Sequence, residues 1–284
     1  MTDGWIESLH FNETPKGARF AVVTRPVGPA SGVGVLLCSG GWFAGNWSLN
    51  RLYVNLARDL ATAGHTVVRF DWEGTGESPG YIQSFRLDEP FLEDVYQMAA
   101  LLSNSERVVA AGICFGASSL LSAANQITNL SDLVLISVTI PGSGPSRVAH
   151  RATLGAVAKV ALRPSVLRGW FDPYTRRLYL KWFRARKRTL LNLLKRGATR
   201  APAGKLVPNQ ILALLQRGVS VRFLYGRGNS SLSAFSTEPF ASIAASDLVR
   251  IEVIDGDVGS SSSKEDREAI SRVITDAVST RMTL

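Results

Sequence analysis

Histidine is scarce in this chain of 284 residues: there are three, His10, His65 and His150, and none lies past residue 150. A serine or cysteine nucleophile is ordinarily activated by an imidazole, so the second half of the sequence has no standard base to offer. Cysteine is scarcer, with only Cys38 and Cys114. Two cysteines exclude a disulfide framework and read as cytosolic thiols. No uninterrupted apolar run reaches about 18 residues, so no transmembrane helix is expected. The opening MTDGWIESLH lacks a basic stretch followed by an apolar one, so no signal peptide is expected and the expected location is cytoplasmic. Internal repeats and low-complexity stretches are missing too, and no metal or cofactor is expected.

Acids are nearly absent from one segment. Residues 147–205 hold 16 Lys or Arg and a single acid, Asp172, a balance of +15. The whole chain has 32 basic and 23 acidic residues and a net charge of +9, so the remainder, with 16 and 22, is mildly acidic at −6. What is present suits a globular protein: 45% hydrophobic and 19% charged residues over this length can bury a sizeable core.

Strand and helix signals alternate. Residues 5–11 and 19–25 read as early strands. Residues 34–38, 66–70 and 108–113 are short apolar runs of the kind found in strands buried on both faces. Residues 52–63, 90–102 and 117–125 read as helices and 133–139 as another strand, ended by Ile140-Pro141-Gly142. The alternation stops over 143–206, which is basic, helical and aromatic-bearing. It resumes with 209–216, 221–225, 249–254 and a terminal helix from about residue 263. Such alternation predicts a doubly wound, mostly parallel α/β sheet. The core is expected over 1–142 and 207–284, with 143–206 as an inserted helical lid.

Residues 112–116 read Gly-Ile-Cys-Phe-Gly between an apolar strand and a small-residue helix start. This is the pattern of a nucleophile elbow, in which glycines permit a sharp turn that presents the middle side chain, here Cys114. Free cysteine is also a common buried hydrophobe, so Cys114 is read either as a core residue or as a nucleophile. The helix start after it is expected to lower the thiol pKa.

Other motifs follow in order. They are Cys38-Ser39-Gly40-Gly41-Trp42, Arg69-Phe70-Asp71-Trp72-Glu73-Gly74-Thr75-Gly76-Glu77-Ser78, Leu224-Tyr225-Gly226-Arg227-Gly228-Asn229 and Ile254-Asp255-Gly256-Asp257-Val258. With the elbow, these resemble the α/β-hydrolase superfamily over the whole chain except the lid. The resemblance implies an oxyanion-hole loop at Gly40, Gly41 and Trp42, completed by the backbone N–H of Phe115. It also implies an acid where Asn229 stands and a histidine where Val258 stands, both near the substrate pocket. An amide cannot carry the charge of the acid, and valine moves no proton.

Asp257 adjoins the vacant base position, and either orients water or substrate or bonds within its own Gly/Ser-rich loop. His150 lies in the lid and is either a substitute base or a surface residue among cations. Asp71 and Glu73 are expected to support a loop, and Cys38 and Cys114 to be neighbours without forming a redox pair.

The residues imply an atypical α/β-hydrolase-fold enzyme acting at a thioester, ester or amide carbonyl, with an oxyanion hole and Cys114. The cysteine elbow and basic lid also resemble bacterial hydrolase-like proteins tied to polysaccharide or specialised-metabolite genes, which implies a place in bacterial specialised metabolism. An alternative is a non-hydrolytic isomerase, epimerase or cyclase that borrows a base from its substrate; the pattern of losses is similar to epimerases of the bottromycin-pathway type. A third is a pseudoenzyme binding a ligand, partner or membrane. The basic lid suits a small-molecule or peptide substrate that is anionic or carrier-bound, or an acidic membrane surface met by Tyr179, Trp182 and Phe183. No nucleic-acid motif accompanies the charge.

Overall fold

Strands made almost wholly of Val, Ile, Leu and Ala set the frame. In the computed structural model, residues 4–13, 17–40, 45–80, 91–140, 206–259 and 261–280 are described. Eight strands form one sheet: β1 Trp5–Asn12, β2 Arg19–Pro26, β3 Val33–Cys38, β4 Thr66–Phe70, β5 Arg107–Ile113, β6 Leu130–Ile136, β7 Ser220–Gly226 and β8 Val249–Ile254. Their order is β1-β2-β4-β3-β5-β6-β7-β8. Only the β1–β2 and β2–β4 pairings are antiparallel. This is the expected doubly wound, mostly parallel sheet.

Helices cover both faces. On one lie α1 Leu52–Thr62 and α6 Lys264–Ser279; the other described helices are α2 Leu92–Ala100, α3 Phe115–Ala123, α4 Leu206–Gln216 and α5 Phe240–Ala244. Alternate strand residues feed the two cores. Leu36, Ala110 and Leu135 join Phe70, Trp72 and Leu120 on one side. Leu37, Val109 and Val134 join Tyr53, Leu56, Ile270 and Ile274 on the other. Each central strand is therefore buried on both faces, which is why it reads as a continuous apolar run. The α6 start is fixed by a capping box between Ser263 and Asp266.

The structure departs from the sequence reading at β6, which runs from Leu130 to Ile136 rather than over 133–139. Ser131 and Asp132 look like turn residues but are buried and satisfied. The Ser131 hydroxyl donates to the Val108 carbonyl, and Arg107 pairs with Asp132 at 3.3 Å. The strand stops early because Ser137 takes φ 51. The end of helix α4 also differs: it begins at Leu206, with Pro208 tolerated in its first turn. The short α5 and the 3-10 turn Ser230–Ser236 were not anticipated. Except for its final residue, the segment expected to form a lid lies outside the described residues.

Parallel register brings the working loops together. Cys38 pairs with Gly112, Ile113 with Ile136, Ile136 with Leu224 and Gly226 with Ile254. The loops after β3, β5, β6, β7 and β8 thus leave one edge of the sheet, where open α/β sheets place their ligands.

Candidate functional site

Cys114 sits between β5 and α3 at φ 47, ψ −111. A non-glycine residue pays a strain cost of order 1–3 kcal/mol for such a backbone. The surroundings hold it there: its N–H donates to the Ile136 carbonyl at 2.8 Å, and its own carbonyl accepts from Ser118 N at 3.1 Å. Both motif glycines are required by close approach. A Cβ at Gly112 would lie 2.7 Å from Ala117 N, and one at Gly116 would lie 2.4 Å from the carbonyl oxygens of both Cys38 and Ser39. The second contact packs the head of α3 directly on the end of β3, so the loop expected to hold an oxyanion begins beside the elbow.

That loop is held from below. Trp72 is fully buried and edge-on to Phe70 and Phe115, with centroids 4.6 and 5.5 Å away. Its indole N–H donates to the Ser39 carbonyl and hydroxyl at 3.2 and 3.1 Å. Tyr53 donates to the Cys38 carbonyl at 3.1 Å. Beyond the loop, buried Asp71 accepts from Asn46 N at 2.6 Å, from both-oxygen contacts with the Asn46 side chain at 3.1 Å, and from Glu77 N at 3.1 Å. Glu73 pairs with buried Arg19 at 3.0 Å. Asp71 and Glu73 therefore support loops.

Around the half-buried thiol the partners are polar but not basic. Cys114 Sγ donates to the Gly259 carbonyl at 3.5 Å, and the Ser137 hydroxyl lies near enough to favour the thiolate. Ser137 Oγ in turn accepts from Asn229 Nδ2 at 2.9 Å, while Asn229 Oδ1 accepts from Ser231 N at 2.9 Å. Burial pushes the thiol pKa up, the Ser137 hydrogen bond pulls it down and the nearby Asp257 carboxylate adds to the rise; the net direction is upward. The helix start does not produce the lowering expected from the sequence, because loss of solvent outweighs it.

Among the pocket residues inferred from the sequence, Gly40 lies against Ile113, 3.3 Å from its Cγ2 to a Cβ built on the glycine. The Phe115 ring is buried and its N–H stands in the first turn of α3. Val258 does not line an open pocket: it is fully buried in the aliphatic cluster on which Cys114 packs. Its loop turns the side chain inward, and Gly259 faces the thiol instead. Asp257 is exposed, with Oδ1 3.3 Å from the point where a Gly259 Cβ would be. Gly41, Trp42 and His150 lie outside the described residues.

His10 bonds to Ser8 on edge strand β1, and His65 bonds to Ser31 just before β4, at the opposite end of the strands. Cys38 and Cys114 are both free thiols. Among the described residues no group of acids, histidines or cysteines could hold a metal, and no helix is long and apolar enough to cross a membrane.

Ser137, Gly259 and Asn46 were not singled out in the sequence, and Trp72 was quoted there without a role. A serine after a strand and a glycine in a Gly/Ser-rich loop are common. Only the register between β6, β7 and β8 gives these their meaning.

The fold has counterparts among solved structures. A proline iminopeptidase from Mycobacterium smegmatis is 16% identical, with a TM-score of 0.56 over 95% of this chain and 98% of that one. An esterase from Pyrococcus furiosus is 15% identical, with a TM-score of 0.60 over 95% and 89%. A thioesterase domain from the curacin biosynthetic pathway is 13% identical, with a TM-score of 0.55 over 96% and 100%. At these identities the likeness is one of fold. The sequence matches no curated protein. Residues 35–270, from β3 to the middle of α6, match the alpha/beta hydrolase family, and the chain belongs to that family.

Proposed function

We propose that this is an atypical enzyme of its family, acting at the carbonyl of a thioester, ester or amide with Cys114 as the attacking group. The observation that carries the reading is the backbone of Cys114, held at φ 47 at the head of α3 with its thiol half-buried. Strain at a side chain that a core position would not require is a mark of function.

In this reading Cys114 Sγ bonds to the carbonyl carbon and the π pair moves onto the oxygen. Backbone N–H groups at the head of α3 and in the loop after β3 hold that oxygen. The thiol proton passes to the substrate's own leaving group, because the groups beside the thiol are a carbonyl oxygen and a serine hydroxyl, neither of them a base. The leaving group departs neutral and an acyl-Cys114 remains for water or another acceptor. The basic segment 143–206 serves as a lid that draws an anionic or carrier-bound substrate, and the protein works in the cytoplasm in specialised metabolism.

A second reading is favoured by the raised thiol and the buried Val258. Here the pocket stabilises an enolate, a group on the substrate removes the proton, and the product is an isomer, epimer or cyclised form.

Rapid mixing with activated acyl thioesters and esters separates the readings. A burst of leaving group and an acyl mass on Cys114, both lost in Cys114→Ala, support the first. Turnover that survives Cys114→Ala overturns it in favour of the second. Inertness toward every carbonyl substrate, with liposome binding lost on neutralising Arg184, Lys187 and Arg188, overturns both and leaves a binding protein.

A further inference from the structure

The hydrogen-bond chain behind Cys114 has a direction that can be read from chemistry alone. Ser231 N is a backbone amide and can only donate, so the atom of Asn229 that meets it at 2.9 Å is the oxygen. The Asn229 side-chain NH2 must then face Ser137, and it meets Ser137 Oγ at 2.9 Å. An NH2 group can only donate, so Ser137 Oγ is the acceptor there. A hydroxyl has one hydrogen, and in Ser137 it is left for a different acceptor. Cys114 Sγ borders the same small space as that hydroxyl, the two atoms lying 3.1 and 2.9 Å from one point beside Gly259, and the hydroxyl favours the thiolate.

The position of Ser137 is enforced. Its backbone N–H donates to the Leu224 carbonyl at 2.8 Å, and it adopts φ 51. This unfavourable conformation for a side-chain-bearing residue ends β6 and keeps the hydroxyl between the β7 loop and the elbow. A Cβ at Gly259 would be 2.9 Å from Ser137 Oγ and 3.1 Å from Cys114 Sγ, so both atoms face the same small space.

We infer that Asn229 and Ser137 form a donor relay directed at Cys114, in which donation runs from the position after β7 through Ser137 to the sulfur. In a base-containing triad donation runs the other way, from nucleophile through imidazole to carboxylate. This relay cannot take the thiol proton. It stabilises negative charge on the sulfur once the proton has gone, and Ser137 and Asn229 are positioning residues rather than a replacement base. The inference deepens the proposed role of Cys114 and rests on it. Its test reads the thiol and not turnover, so the two readings fail separately.

The test is the pH profile of Cys114 alkylation by iodoacetamide in the full chain, with the labelled cysteine identified by mass spectrometry. Cys38 is fully buried, so its labelling reports unfolding. Ser137→Gly removes the hydroxyl and suits the positive φ. The profile's midpoint is expected to move to higher pH, with alkylation near neutrality slower by about tenfold, the scale of a lost hydrogen bond to a charged group. An unmoved midpoint, or one moved to lower pH, overturns the relay, the latter because Ser137 would then be accepting from the thiol.

Asn229→Ala is the second variant and adds no charge. It removes the donor that occupies the Ser137 oxygen and thereby keeps the hydroxyl hydrogen directed at the sulfur. The midpoint is expected to rise, by less than in Ser137→Gly, on the scale of about half a pH unit for a neutral hydrogen bond. An unmoved midpoint, or one moved to lower pH, overturns the inference even if Ser137→Gly fails to fold.

Discussion

A methyl group at position 259 would stand 2.9 Å from Ser137 Oγ and 3.1 Å from Cys114 Sγ. The backbone of Gly259 does not need glycine, since it is not among the glycines with positive φ. Its lack of a side chain therefore keeps the face of the thiol open. Gly259→Ala is expected to fold at a cost of about 1 kcal/mol for crowding the Ser137 hydroxyl, and to slow any reaction at Cys114 by roughly 10²-fold, the scale of an ångström of misplacement. Comparing iodoacetamide labelling with thermal melting checks this, and unchanged labelling would show that substrate approaches from another side.

The neighbouring Val258 argues the reverse case. Its side chain lies at 0% exposure among aliphatic residues, so Val258→His would bury an imidazole without water. The expected result is a loss of about 1–3 kcal/mol, measured by urea denaturation, with no gain in esterase activity. A gain would mean that the loop turns over to present position 258. The resemblance of residues 254–258 to the family's histidine loop identified 258 as the residue to watch. It could not reveal the direction of the side chain, which depends on how the loop after β8 meets the core.

At the level of elements, the site is a junction between β3 and the β5–α3 elbow. Gly116 lets the helix head touch the Cys38 and Ser39 carbonyls, and Trp72 anchors Ser39 from the β4 loop. Gly116→Ala forces backbone apart at a Cβ–oxygen distance of 2.4 Å. A loss of about 1–3 kcal/mol is expected, typical of overpacking, together with loss of the ordered thiol environment. Denaturation and Cys114 alkylation should change together, and a stable variant with native labelling would show that the junction is looser than drawn.

This junction was partly legible beforehand. Continuous apolar runs exposed the strands, and Gly112, Cys114 and Gly116 exposed the elbow. The start of β6 stayed hidden because Ser131 and Asp132 resemble turn residues until Arg107 is seen beside them. The five residues of α5 are too few to display a helical period. Ser137 escaped notice for a related reason: its importance arises from a strand end that was set three residues too late.

At the scale of the molecule, Cys38, Tyr53, Cys114 and Tyr225, acids that are neutral at ordinary pH, lie around the sheet among the described residues. All are shifted upward, chiefly by burial; for Tyr53 the nearby cysteines add to the effect, and for Cys114 Ser137 opposes it. Both phenols also spend their proton on a carbonyl, Tyr53 on Cys38 and Tyr225 on Val138, each at 3.1 Å. In the unfolded chain the thiols lose their protons near 9.0 and the phenols near 10.0, their ordinary values. The native state keeps them longer. Above pH 9 the unfolded state therefore binds fewer protons than the native state, and stability falls as pH rises.

Each group contributes at most about 1.4 kcal/mol per pH unit between its unfolded and folded pKa. The contribution is fully present below the unfolded value and is lost as pH climbs toward the folded one. Urea midpoints are accordingly expected to hold steady up to about pH 8.5, to decline once the thiols titrate in the unfolded chain and to decline more steeply past pH 10. Tyr53→Phe keeps the ring but removes one of the titrating protons. It should cost about 1 kcal/mol near neutrality, for the lost hydrogen bond, and flatten the alkaline slope by up to one group's share. A midpoint that stays level through pH 11, or a slope that Tyr53→Phe leaves untouched, would mean that water reaches these groups in the native state, and that the thiol at the elbow is better solvated than its packing implies.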